Sequence, residues 1–276
     1  MAIKLVALDL DDTLLDPDLQ ISEICMQAIR QVKEKGIIVT ISTGRMYSSA
    51  RPYAMQLGLS VPLITYEGAL VKHSHTGEVL YAQPVPTHLA REVMTYFKTA
   101  GIHFHSYYDD RLVMERLTRE GQAYARLAGV DLVIMPDLRS ALDTNQAMKI
   151  MAISDQETSL LRMEQELRER YGAKLHITRS KRHFLEVMHP EADKSRALQV
   201  MAEHFGIERQ EVMAIGDSYN DVEMIAWAGI GIAMANAFPV VKQKADFITS
   251  SNQEDGVAFA LQRFILDKEQ GSGQSA

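Results

Sequence analysis

Asp9 and Asp11 stand two residues apart at the end of a short apolar run, residues 4–10. In an extended chain residues i and i+2 share a face, so the two carboxylates point the same way. Paired carboxylates can divide the work of catalysis, one as nucleophile and the other as general acid and base. Two more polar clusters end apolar runs: Ser42, Thr43, Gly44 and Arg45 follow residues 37–41, and Gly216 to Asp221 follow residues 212–215. The Thr43 hydroxyl and the Gly44 amide suit an anion, and Lys194, at a predicted helix start, adds positive charge. Three carboxylates at neighbouring strand ends repel one another. A divalent cation relieves that, and hard oxygen donors favour Mg²⁺ over zinc. One Asp-rich turn reads as a solvated loop or a cap; three at separate strand ends form a pattern.

The elements that must position these clusters are legible in the periodicity. Residues 4–10 read as a buried strand, and Ser22 as the N-cap of a helix over 23–35 that Gly36 closes. A second strand at 37–41, a helix near 48–57 and a third strand at 63–65 follow. Strand and helix in alternation predict a parallel sheet with right-handed crossovers. The pattern changes at Pro84 and Pro86 and resumes after Pro190. Residues 84–188 read as an inserted α+β unit: helices at 87–99, 118–128 and 157–170, with paired strands between them. After it come a helix over 194–205, a strand at 212–215, a helix over 221–228, a strand at 229–233 and a last helix over 255–266. The fold class is α/β, a doubly wound parallel Rossmann-like core (1–83 and 189–276) with an inserted α+β domain. In an open sheet of this kind ligands bind outside the carboxyl ends of the strands, where all three clusters fall.

Composition narrows the class. The chain has 276 residues, 46% hydrophobic and 24% charged, with a net charge of −7. Residues 84–188 carry 15 Lys and Arg against 14 Asp and Glu, so the acidity sits in the remainder. No basic surplus serves nucleic acid. No apolar run is long enough to span a membrane. Cys25 is the single cysteine, which excludes an intrachain disulfide and suits a reducing compartment, the cytoplasm. His103 and His105 share a strand face without a third ligand, so they read as side chains of a partly exposed strand. Residues 271–276 read as a frayed tail.

In order and spacing the three clusters and Lys194 resemble the four motifs of the haloacid dehalogenase superfamily of phosphohydrolases, and within it the Cof-type, YidA-like sugar phosphatases. The resemblance spans nearly the whole chain, with 84–188 in the place of a type IIB cap. It implies that Asp9 attacks the phosphoryl group and forms an aspartyl-phosphate, while Asp11 protonates the leaving alcohol and then activates water. It implies Mg²⁺ held by Asp9, the Asp11 main-chain carbonyl and Asp217, with Asp221 and Arg45 behind them. Leu10, Thr43, Gly44, Lys194 and Asn220 would hold the phosphoryl oxygens. The sequence departs from the family pattern at Asp12, Ser195 and Ser218, where Gly is frequent, and at Glu67, where Asn often stands. Arg179, Ser180 and Arg182 form a basic cluster that could meet an anionic leaving group. The expected enzyme is a phosphatase acting on a small phosphate ester. A phosphotransferase or phosphomutase, or a non-catalytic phosphate-binding regulator, would share the core residues. Nothing in the sequence names the substrate or the oligomeric state.

Overall fold

The computed structural model describes residues 2–267; the tail at 271–276 lies outside them. By their contacts the residues fall into two units. The first comprises 1–44, 50–81 and the chain from 193 onward; the second comprises 45–49 and 82–192.

The first unit is built on a five-stranded parallel sheet. Its strands are β1 (Leu5–Leu8), β2 (Ile38–Ile41), β12 (Val212–Gly216), β13 (Ile230–Ala233) and β14 (Phe247–Ile248), ordered β14-β13-β12-β1-β2. All four residues of β1 are fully buried, as a central strand covered on both faces requires. Leu5 and Ala7 belong to a core with Ala197, Leu198 and Met201 of α7 (Lys194–His204) and Met224 of α8 (Val222–Trp227). Val6 and Leu8 project from the other face. Ser22 caps α1 (Glu23–Glu34) by accepting the Cys25 amide at 3.1 Å, as the sequence predicts. Ser42 bridges to Ile64, which extends the parallel pairing to β3 (Pro62–Thr65).

β3 turns back through β4 (Leu70–His73) and β5 (Val79–Ala82) as a small three-stranded sheet, which the sequence reading does not contain. These strands are four residues long and β5 is mostly exposed, so neither presents a clear alternation. The last helix, expected over 255–266, is helical from Gly256 to Leu261 and continues to Leu266 in a wider turn.

The second unit has a six-stranded sheet. Its strands are β6 (His103–Tyr108), β7 (Arg111–Met114), β8 (Leu132–Ile134), β9 (Ile150–Ile153), β10 (His176–Thr178) and β11 (Phe184–Met188), in the order β10-β11-β9-β6-β7-β8. All neighbours are antiparallel except β7 and β8. One face carries Phe104, Tyr108, Ile150, Ala152, Leu185 and Val187, packed on α3 (Thr87–Thr99) and α6 (Glu157–Tyr171). The other face is polar. His103 Nε2 lies 3.1 Å from His105 Nδ1, His105 Nε2 lies 3.2 Å from the Tyr107 hydroxyl, and Tyr107 donates to the Tyr124 hydroxyl at 2.6 Å. Beside them Lys149 and Glu186 form a buried ion pair at 2.8 Å. The expectation of a partly exposed strand at His103 and His105 is corrected, since His105 is fully buried. Its ring is neutralised by that burial, which holds its proton affinity well below the usual range.

Candidate active site

The strand order reverses between β1 and β12: the chain leaves β1 toward β2 on one side and later returns to build β12, β13 and β14 on the other. A crevice at the carboxyl ends of such neighbours is where open α/β sheets bind ligands. Leu8 pairs with Ile215, which brings Asp9 and Asp217 to neighbouring strand ends. The Asp9 amide donates to the Ile215 carbonyl at 3.0 Å and fixes that register.

After Asp9 the chain makes a tight turn over residues 10–14, closed by the Leu15 amide on the Leu10 carbonyl at 2.9 Å. Asp12 takes the left-handed conformation there, φ 59°. This accounts for the family's frequent Gly at the position, because a β-carbon is disfavoured at such a φ. Asp11 and Asp12 are exposed, whereas Asp9 is buried. Thr13 donates to Asp217 Oδ1 at 2.9 Å and ties the first turn to the third. The sequence reading gave Thr13 no role; a hydroxyl directly after the acidic run was the available signal.

The third turn is built around Asp221. Its Oδ2 accepts the amides of Asp217 and Ser218 at 3.1 and 3.0 Å, and its Oδ1 accepts Lys194 Nζ at 2.7 Å. Lys194 Nζ also donates to Asp9 Oδ1 at 2.7 Å. The side chains of Asp9, Lys194, Asp217 and Asp221 are all buried. Gly216 must be small, because a β-carbon on it would lie 2.5 Å from the Asp221 carboxyl carbon.

One ammonium therefore faces three buried carboxylates. Burial raises Asp9 well above the usual carboxylate range, Asp221 and Asp217 raise it further, and Lys194 opposes them. Burial and the neighbouring Asp221 push Asp217 up to about 7, against the Thr13 hydrogen bond. Burial alone would lower Lys194, but Asp221, Asp9 and Glu67 outweigh it and hold the ammonium raised. Asp9, Asp217 and Asp221 each offer an oxygen within 4.8 Å of the others, a hard donor set with charge left over for a metal ion. Because Asp221 already uses both oxygens, Asp9 and Asp217 are the better placed ligands.

The second cluster carries the hydroxyl and amide that the sequence reading offered to an anion. Thr43 and Gly44 follow β2, and the Thr43 amide donates to the Ile64 carbonyl at 2.9 Å. Asn220 lies in the turn of Asp217 and Asp221, with its side-chain amide 2.7 Å from Glu67 Oε2. Gly44 faces the other oxygen of Glu67, 1.9 Å from where a β-carbon would sit. The structure thus gathers Asp9, Thr43, Gly44, Lys194, Asp217, Asn220 and Asp221 in the first unit. Ser195 is buried in the first turn of α7, and Ser218 caps the turn at 219–221. Arg45 groups with the second unit, where its charge acts on Tyr124. Arg179 is paired with Glu157 and Glu164 at 3.3 and 3.0 Å, Ser180 donates to Glu186, and Arg182 Nε lies 2.9 Å from His183 Nε2.

Residues 6–261 match the family model of haloacid dehalogenase-like hydrolases. YxeH of Bacillus subtilis (strain 168) is 32% identical, with 96% of this chain and 99% of that protein covered. The 5-amino-6-(5-phospho-D-ribitylamino)uracil phosphatase YitU of the same organism is 30% identical, with 95% of this chain and 97% of that protein covered. The crystal structure of a haloacid dehalogenase-like hydrolase from Bacteroides thetaiotaomicron superposes with a TM-score of 0.88 at 32% identity, covering 95% of this chain and 99% of that one. Among the described residues no helix is long and apolar enough to cross a membrane. Strand order, the carboxylate cluster at the sheet's reversal and a match over nearly the full length agree: the chain belongs to the haloacid dehalogenase-like hydrolase family and is one of its phosphatases.

Proposed function

We propose that this enzyme is a Mg²⁺-dependent phosphomonoesterase that works through a phosphoryl group on Asp9 and acts on small phosphorylated metabolites, sugar phosphates above all. The observation that carries the reading is the ammonium of Lys194 bonded to both Asp9 and Asp221, with Asp217 alongside, at the sheet's reversal point. The ribityl phosphate in the name of the YitU relative supports the sugar-like substrate class.

Mg²⁺ would be held by Asp9, the Asp11 main-chain carbonyl and Asp217, hard oxygen donors that suit it. When bound, the ion neutralises charge on the transferring phosphoryl group. Asp9 attacks phosphorus in line, and its bond to the leaving oxygen breaks. Asp11 gives its proton to that oxygen. The Asp11 carboxylate then takes a proton from water, whose oxygen attacks the phosphoryl-Asp9, releasing phosphate and restoring Asp9. Lys194, Thr43, Asn220 and the amides of Leu10 and Gly44 hold the phosphoryl oxygens, the positioning and charge stabilisation that phosphoryl transfer needs. Asp221 aims Lys194 and the Asp217 turn. The second unit, read as the cap over 84–188, has the task of selecting the leaving group.

The test is phosphate release from a panel of sugar phosphates and an aryl phosphate, with Mg²⁺ or with EDTA. Wild type releases phosphate only with metal, and Asp9→Asn abolishes it. A folded wild type that releases none from any ester overturns the reading, and formation of a sugar isomer in place of phosphate assigns transfer.

A further inference from the structure

We propose that Glu67 sets the affinity of the phosphoryl seat: its carboxylate occupies that seat in the resting enzyme and competes there with phosphate. The inference rests on the reading of Thr43, Gly44, Lys194 and Asn220 as the groups that hold the phosphoryl oxygens.

Glu67 is buried. It accepts the Asn220 side-chain amide at 2.7 Å, and its other oxygen lies against Gly44. Its charge also acts on Lys194. Of the five groups assigned to the phosphoryl oxygens, one carboxylate thus bonds to Asn220, lies against Gly44 and acts by its charge on Lys194. A carboxylate resembles a phosphate in offering oxygen acceptors and negative charge, so the same donors satisfy either. Two anions cannot share the donors without strong repulsion in a buried site.

The backbone shows that this placement is enforced. Tyr66, Glu67 and Gly68 have φ values of 52°, 56° and 90°, a run that non-glycine residues rarely adopt. Gly68 packs so closely on the start of α7 that a β-carbon would lie 2.2 Å from the Asp193 carbonyl oxygen. The Glu67 amide donates to the Thr43 carbonyl at 3.2 Å. The strained turn is thus clamped between the strand end that carries Thr43 and the helix that begins at Lys194. Strain held by its surroundings at a ligand site is a mark of a functional contact. Asn, frequent here in the family, tolerates a left-handed φ better and carries no charge; Glu67 accepts the strain and adds the anion.

The consequence is product release. Phosphate leaving the seat is replaced by an anion that is already tethered, so free phosphate binds weakly and inhibits little. Removing the charge with Glu67→Gln or Glu67→Asn raises the affinity for phosphate.

The experiment is equilibrium dialysis of the full chain against radiolabelled orthophosphate with Mg²⁺, for wild type, Glu67→Gln and Glu67→Asn. The Ki of orthophosphate and the KM for an aryl phosphate are measured alongside. Affinity is expected to rise about tenfold or more in both neutral variants, with Ki and KM falling in parallel, since removing one close charge acts over roughly this range. Unchanged or weaker phosphate binding by a folded neutral variant overturns the proposal. If wild type hydrolyses esters and the variants bind no tighter, the phosphatase reading stands and the Glu67 reading falls; if no ester is hydrolysed but phosphate binding tightens, the reverse holds. Should neither variant fold, a phosphate-soaked crystal of wild type decides. Glu67 displaced from Asn220 supports the proposal, and Glu67 still on Asn220 beside a seated phosphate overturns it.

Discussion

Asp217 shows how far a single side chain can oppose its own fold. Its carboxyl is raised to about 7 by burial and by Asp221, against an ordinary value of 3.8. A raised carboxylate binds protons more tightly in the folded state than in the unfolded one. In metal-free protein its contribution to stability is therefore fully present below about pH 4 and is lost as pH rises through about 7. Thermal unfolding in EDTA is expected to show this loss, and Asp217→Asn to flatten it and raise Tm near neutral pH. The same variant removes a metal ligand and is expected to lower Mg²⁺-dependent turnover by a hundredfold or more. An Asn variant that melts no higher than wild type in EDTA contradicts the account. At this scale the sequence singled out Asp9, Lys194 and Asp221 because they stand at the ends of separate predicted elements, and the structure bonds the three side chains to one another. It flagged Glu67 only as a departure. That its carboxylate turns onto Gly44 and Asn220 depends on three consecutive left-handed residues, which no residue type announces.

At the scale of elements, three features carry predictions. The turn at Tyr66, Glu67 and Gly68 abuts the α7 backbone with no room for a methyl group. Gly68→Ala is expected to cost about 3 kcal/mol or more, from a backbone clash added to a disfavoured φ. Urea unfolding measures it, and a loss under about 1 kcal/mol contradicts the close packing. In the second unit, Lys149 and Glu186 are buried together. Lys149→Met leaves the buried Glu186 without its countercharge, with only the Ser180 hydroxyl still donating to it among the described residues, and an expected loss of roughly 3–5 kcal/mol, whereas Lys149→Met with Glu186→Leu recovers most of it. The nearby His103 has its pKa lowered by burial to about 4. Its ring is neutral when folded and charges more readily when unfolded, so stability falls as pH drops from about 6.5 toward 4, and His103→Gln removes part of that slope. The parallel strands were legible because each is a continuous apolar run ending in a polar cluster. The polar face of the second sheet was not, because its members come from β6, α4 (Arg119–Ala128), the residue before β9 and β11, and only pairing brings them together.

For the whole molecule, a metal that binds only the folded chain stabilises it by mass action. Mg²⁺ at a hundred times its Kd is expected to add about 2.7 kcal/mol, read as a rise in Tm that EDTA reverses. Asp217→Asn abolishes the rise. A wild-type Tm indifferent to Mg²⁺ at millimolar concentrations contradicts the proposed ligand set. The change of pattern at the prolines and the neutral charge of 84–188 were legible in the sequence. The return of residues 45–49 to the second unit was not, because it breaks the rule that a stretch contiguous in sequence stays with its neighbours.

The central position of β1 bears on how the protein is made. β1 pairs with β2 at once, but its other partner, β12, is about two hundred residues downstream. A ribosome adding roughly 5–20 residues per second reaches it only after some tens of seconds. For that interval a fully apolar strand has one open edge, while residues 82–192 can close their own sheet. Asp9 meets Lys194 and Asp217 only after about two hundred further residues have been made, so nascent chains released early are inert and prone to pair through β1.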